Sequence, residues 1–219
     1  MKRIFRYLPL LSLLPLGVPF ASAQSAVDFN IGFGGAWDSA NKSGIDNNTG
    51  NTCTPTGTNS TTCSALPTLS GFFLGIGGDV MVKDKFGVGI NFSVQPAKQD
   101  YGPLQERQSF YDFNAIYRPI ATKKAALNLE AGIGGARTSF SFTQTGCVGT
   151  AVCSTSTSPV GSAGHFQEHL GVGVQVMLTE HFFVRPQFDV HFVNGFTDQF
   201  GRTVVPQAMV WVGYNLGSR

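Results

Sequence analysis

His169 and His191 are the first residues in this chain whose type and placement suggest chemistry. If the tight turn at Thr179 to His181 pairs Leu178 with Phe182, the two histidines fall directly opposite each other, and both rings point to one face. Imidazoles so placed can bind a metal or sense pH. Two solvated histidines are the plainer reading, because His165 to His169 is too long a step along a strand to supply a third ligand. A second set is charged: Asp28, Asp79, Asp112, Arg118, Glu130, Arg185 and Asp189 recur on the polar side of alternating segments. Asp79, Arg118, Glu130 and Arg185 lie nearest the short turns and are expected to meet, because an unpaired charge in a confined interior is costly. No Ser, His and Asp set has a spacing that demands catalysis, so the chain reads as a non-enzyme without a cofactor.

Gly-x-Gly-Gly occurs at Gly32 to Gly35, Gly75 to Gly78 and Gly132 to Gly135. None completes a nucleotide-binding GxGxxG, and none is followed by a helical pattern. These glycines are expected to make room for bulky inward neighbours such as Phe73, Phe183 and Trp211. The four cysteines, Cys53, Cys63, Cys147 and Cys153, lie in Ser-, Thr- and Gly-rich surroundings without CxxC spacing. No histidine stands near them at finger-like spacing, so no metal is expected there. Of the three connectivities, two local disulfides, Cys53 with Cys63 and Cys147 with Cys153, are the simplest in an oxidising compartment.

The elements that position these residues are strands. In Phe86 to Gln95, the apolar Phe86, Val88, Ile90, Phe92 and Val94 alternate with Gly87, Gly89, Asn91, Ser93 and Gln95. That is a period of two, over a length suited to a tilted membrane-crossing strand. The same alternation recurs in seven further segments: from Val27 to Trp37, Gly71 to Val82, Tyr111 to Arg118, Leu127 to Gly134, His169 to Leu178, Phe182 to Phe192 and Val204 to Leu216. Pro186 lacks a donor, so a bulge or local irregularity is expected there. Residues 38–67 and the stretch from about Ser141 to Ala163 lose periodicity and read as long solvated loops. A shorter loop covers Ala97 to Gln105, and another lies near Asn194 to Arg202.

Residues 1–23 read as a secretory signal peptide, with Lys2, Arg3 and Arg6 before an apolar run and Ala21-Ser22-Ala23 before Gln24. Those three cations belong to the 15 Lys and Arg of the chain, leaving 12 against 13 Asp and Glu in residues 24–219. No basic balance remains to suggest nucleic acid. A membrane protein without a spanning apolar helix must close its sheet, which satisfies every backbone group between strands.

The fold expected is all-β, an eight-stranded antiparallel up-and-down transmembrane barrel over residues 24–219, with Tyr and Trp girdles and a plugged or narrow lumen. On this architecture, and on Gly213, Tyr214 and Leu216 near the C-terminus, the chain resembles the small OmpA/OmpX-like outer-membrane barrels, without a peptidoglycan-binding domain. The resemblance implies an integral protein of the bacterial outer membrane with periplasmic termini and extracellular long loops. Its partners would be outer-membrane lipid and lipopolysaccharide, with an extracellular ligand at the loops, and the barrel would be a monomer. The expected role is structural or adhesive at the cell envelope. A narrow channel for ions or small polar solutes is the alternative, and a soluble barrel holding an apolar ligand is a further one. A lipid-modifying barrel enzyme is disfavoured, because Val193 stands where the lipid A deacylase pattern places Ser two residues after His191.

Overall fold

The computed structural model describes residues 27–38, 53–55, 61–63, 69–101, 104–148, 152–200 and 202–217. The signal-peptide reading of residues 1–23 and most of the loop at 38–67 lie outside them. The strands are β1 (Val27–Trp37), β2 (Cys53–Pro55), β3 (Thr61–Cys63), β4 (Ser70–Lys83), β5 (Phe86–Val94) and β6 (Gln99–Tyr101). They continue with β7 (Leu104–Ala121), β8 (Ala125–Val148), β9 (Val152–Met177), β10 (Phe182–Val193) and β11 (Val204–Asn215), and a four-residue helix α1 (Thr197–Phe200) precedes β11. Strands β5, β4, β1, β11, β10, β9, β8 and β7 are joined in that order, and the pairing of β5 with β7 closes them into a ring of eight.

Every pairing in the ring is antiparallel. Period-two sequences give the ring two faces. Outward side chains such as Phe29, Ile31, Ile76, Ile90, Phe113, Leu170 and Val212 are 37% to 66% exposed. Tyr111, Tyr117, Tyr214 and Trp37 also face outward. A soluble monomer seldom exposes an apolar surface so continuous, and here it forms a band round the barrel.

The glycine repeats serve packing. Gly32 and Gly75 are cross-strand partners, and a Cβ on either would stand 2.5 or 2.6 Å from the indole of Trp211, which lies over both. A Cβ on Gly213 would collide with the Phe183 ring. On the outer face, the Tyr111 ring covers Gly135, where a Cβ would collide with its phenol.

Three expectations need correction. The described residues from Ser141 to Ala163 are strand, not loop: β8 and β9 run 24 and 26 residues and stay paired to Val148↔Val152, with one register shift on the way. About ten residues suffice to cross a membrane, so roughly half of each strand stands clear of the apolar band. From Phe142 outward the described side chains of both strands are exposed or half-buried on either face, so no apolar alternation marks them. The loop at Ala97 to Gln105 contains β6, which pairs with Leu104–Glu106 of β7. The loop near Asn194 to Arg202 contains α1.

At Pro186 the register is unbroken, but the ladder with β9 passes from Val184↔Val176 to Gln187↔Gly173 without a pair between them. The irregularity is therefore a gap and not a bulge. Register shifts occur instead between Met81 and Lys83, between Tyr117 and Ile120 around Pro119, and between Phe140 and Ser141.

Candidate functional site

The interior has a polar half toward the short turns and an aromatic half toward the long hairpin. Nearest the turns, Arg118 donates Nη2 to Asp28 Oδ2 at 2.8 Å and Nε to Asn128 Oδ1 at 2.8 Å. Asp28 also accepts from Asn215 and, at 3.4 Å, from Gln175. In the next layer Arg185 donates Nη1 to Asp79 Oδ2 at 2.5 Å and stands 3.6 Å from Glu130 Oε1. Gln187, Asn91 and Asn114 supply Glu130 Oε2 with donors at 3.2, 3.4 and 3.5 Å. Arg118 thus meets Asp28, while Arg185 takes Asp79 and Glu130. The four residues nearest the turns do not form one cluster.

The histidines lie above these layers. His169 and His191 are cross-strand partners, and their rings stack at 5.0 Å. The hydrogen bond from Leu178 N to Phe182 O, 2.8 Å, sets that register. His169 places Nδ1 3.0 Å from Asn114 Oδ1 and Nε2 2.9 Å from Asp189 Oδ1, so both nitrogens face acceptors, an arrangement a doubly protonated ring satisfies. Asp189 also accepts from Gln187, and Asp112 accepts from Gln167 at 2.6 Å. His191 Nε2 lies 3.2 Å from Gln207 Oε1, and its Nδ1 is 3.9 Å from Asp112. The stacked rings aim their nitrogens sideways into these partners. Among the described residues no group of three or more His, Cys, Asp or Glu is placed to hold a metal ion.

The other face of His191 stacks on Phe110 at 4.5 Å, where the aromatic half begins. Phe73, Tyr101, Phe110, Val193, Phe196, Phe200, Val205, Met209 and Trp211 form one buried cluster, with Phe140 packed against it. The helix α1 supplies Phe200, and Tyr101 Oη ties β6 to it by donating to Gln199 O at 2.5 Å. Val193 is wholly buried in this layer and carries no hydroxyl, so the position two residues after His191 holds no nucleophile. The polar partners Asn114, Gln167, Gln187 and Gln207 were missed in the sequence. All lie at inward positions of their strands, which was the available signal.

Glu106 lies beyond the apolar band, where β7 pairs with β6 and with Phe140 of β8. It is 1% exposed, and neither carboxylate oxygen has a hydrogen-bond partner among the described residues. Burial pushes its carboxyl up to about 7. A folded value above the unfolded one favours the fold at low pH, so this end of the barrel is most stable below about 4.5 and loses stability as pH rises through 7. Glu106→Gln is expected to abolish that slope, worth on the order of 3 kcal/mol at pH 8. Hydrogen exchange of β6 and the outer part of β7 across that range checks it; an unchanged slope in the variant contradicts it.

At the hairpin tip, Cys147 and Cys153 are direct cross-strand partners, and Cys153 is disulfide-bonded. Cys53 and Cys63 are register partners in the β2–β3 pair.

A family model for the outer membrane protein beta-barrel domain matches residues 8–202. No curated protein matches the chain. Among solved structures, the chain is similar to Ail, the attachment invasion locus protein of Yersinia pestis, crystallised with the heparin analogue sucrose octasulfate. That likeness has 12% identity and a TM-score of 0.51, covering 88% of this chain and 99% of the other. Neisserial surface protein A is similar at 14% identity and a TM-score of 0.49, covering 87% and 95%. The N-terminal barrel domain of Pseudomonas aeruginosa OprF is similar at 13% identity and a TM-score of 0.45, covering 88% and 98%.

Proposed function

Since the chain belongs to the outer membrane protein beta-barrel domain family and is an integral outer-membrane protein, we propose that its work is done outside a sealed barrel, in a structural or adhesive role at the cell surface. One observation carries this reading. The lumen ends in a buried aromatic layer, while strands of 24 and 26 residues extend the wall well past the apolar band. A protein built to conduct would keep a wet path, whereas one built to display would close the barrel and lengthen a hairpin.

In this reading residues 1–23 are a cleaved export signal, both termini are periplasmic, and the β8–β9 hairpin is extracellular. Disulfides Cys147–Cys153 and Cys53–Cys63 staple the surface segments, and the barrel works as a monomer without catalysis. The test replaces residues 142–160 by a short turn in the full chain expressed in cells. The barrel should still insert and show its heat-dependent gel shift, while cell adhesion falls to background. Sulfated glycans, the ligand class crystallised with Ail, are the first surface to try. Undiminished adhesion would sink the reading. A narrow channel is the second reading, favoured by the polar half of the lumen, and it requires the aromatic layer to open.

A further inference from the structure

Two short excursions from the ring meet over the mouth of the lumen on the long-hairpin side. β6 lies between β5 and β7, and α1 lies between β10 and β11; these two junctions stand opposite each other on the ring, four strands apart either way round. Even so, Tyr101 Oη donates to Gln199 O at 2.5 Å, and the Tyr101 ring meets Phe200 edge-on at 5.6 Å, with Phe196 a further 4.6 Å away. All three rings are buried. The two segments therefore close the mouth as leaves of one lid. Each leaf is lightly anchored, since β6 has three register pairs with β7 and α1 is four residues long.

Glu106 stands where the β6 leaf joins the wall. Its register partners are Gln99 on the leaf and Phe140 on β8, so the three side chains share a face, and Phe140 touches the Tyr101 ring at 5.1 Å. The carboxyl is thus beside the seam of the lid, buried, with neither oxygen hydrogen-bonded among the described residues. On the facing leaf, Gln199 Oε1 is buried and likewise unbonded. Closure therefore withholds water from a polar side chain on each side of the seam, which keeps it marginal. No ion pair compensates Glu106 among the described residues. Leu104 and Gln108 share its face on β7, and Thr138 stands beside Phe140 on β8, all uncharged. Arg107, Arg137, Lys98 and Asp100 are exposed on the other face of their segments.

We propose that β6 and α1 form a pH-sensitive lid latched by Glu106, closed while that carboxyl is neutral and released when it ionises. A dry, unpaired carboxylate is far costlier than a carboxylic acid. Water reaches this one when β6 lifts from the wall, and that movement parts Tyr101 from Gln199 and Phe200. Burial raises the carboxyl from 4.5 to about 7, so the closed lid is fully favoured below about 4.5. Above about 7, each further pH unit favours the open lid about tenfold. Opening bares the rings of Tyr101, Phe196 and Phe200 without clearing the lumen, because Phe73, Phe110 and Trp211 are carried by ring strands. The device depends neither on the surface role nor on the membrane orientation proposed above.

Hydroxyl-radical footprinting of the full barrel in nanodiscs tests it, since the method reads side-chain exposure and both ends of the barrel stay open to the reagent. The scan runs from about pH 5 to about pH 9, on either side of the expected midpoint. Oxidation of Tyr101, Phe196 and Phe200 should be low at the acid end and rise together through about pH 7, while Trp211 stays protected. Glu106→Gln keeps the shape and removes the charge, so its lid should stay closed over the whole range. Y101F loses the hydroxyl tie to Gln199, so the midpoint at Phe196 and Phe200 should fall by roughly half to one pH unit. That variant keeps the test open if Glu106→Gln misfolds. Protection that does not change with pH in the unaltered barrel would overturn the proposal. So would a Glu106→Gln barrel that opens at the same midpoint, a Y101F midpoint that stays or rises, or exposure of one leaf without the other. Oxidation of Trp211 in step with the lid rings would overturn it as well, by showing that the whole barrel loosens.

Discussion

Replacing Arg185 by Met is expected to destabilise the barrel by about 3–5 kcal/mol, because it strips the buried Asp79 and Glu130 of their shared cation. Arg185 is fully buried, 2.5 Å from Asp79 and 3.6 Å from Glu130, with its guanidinium carbon 6.0 Å from the centre of the Trp211 ring. Methionine keeps much of the stem volume, so the loss reports charge more than packing. The comparison that isolates charge is R185M/D79N/E130Q, which removes the cation and both carboxylates. It should recover most of the loss, since replacing a whole buried ion cluster by neutral groups costs far less than orphaning one member. Urea titration of the barrel in lipid vesicles reads both. A triple variant no more stable than R185M would contradict the ion-pair account.

Trp211→Ala should cost a similar amount, about 3–5 kcal/mol for a buried aromatic, and should also change transport. The indole is 2% exposed and spans Gly32 and Gly75, so nothing beneath it can collapse inward to fill the space. It also joins the aromatic layer to the charge layer, with Met209 on one side and Arg185 on the other. Its removal leaves a void between the two halves, and the variant is expected to leak small ions in intermittent steps. Gly75→Val attacks the same contact from below, so it should lower stability without opening the lumen. A W211A barrel of unchanged stability would show that the layer is not a packed closure.

Where the wall touches lipid on one side and the lumen on the other, each strand carried its two faces openly in the sequence. Val27 to Trp37 and Phe86 to Val94 are examples, since both environments filter side chains in opposite ways. The outer halves of β8 and β9 were illegible for the converse reason: Thr143, Ser156 and Thr157 meet water on either face, so no alternation is imposed. β6 and α1 are too short to hold a period of their own.

In the site, the facing of His169 and His191 follows from a three-residue turn, a local constraint that fixes register. The partnership of Arg118 with Asp28 follows from nothing local, because those residues stand 90 positions apart and meet only through strand tilt and stagger.

The most direct test of the sealed barrel is planar-bilayer conductance of the refolded, unaltered protein, measured beside W211A. The expected result is a silent bilayer with the unaltered protein and intermittent steps with the variant. Steady single-channel steps from the unaltered protein would contradict the closure of the lumen and move the function to a channel.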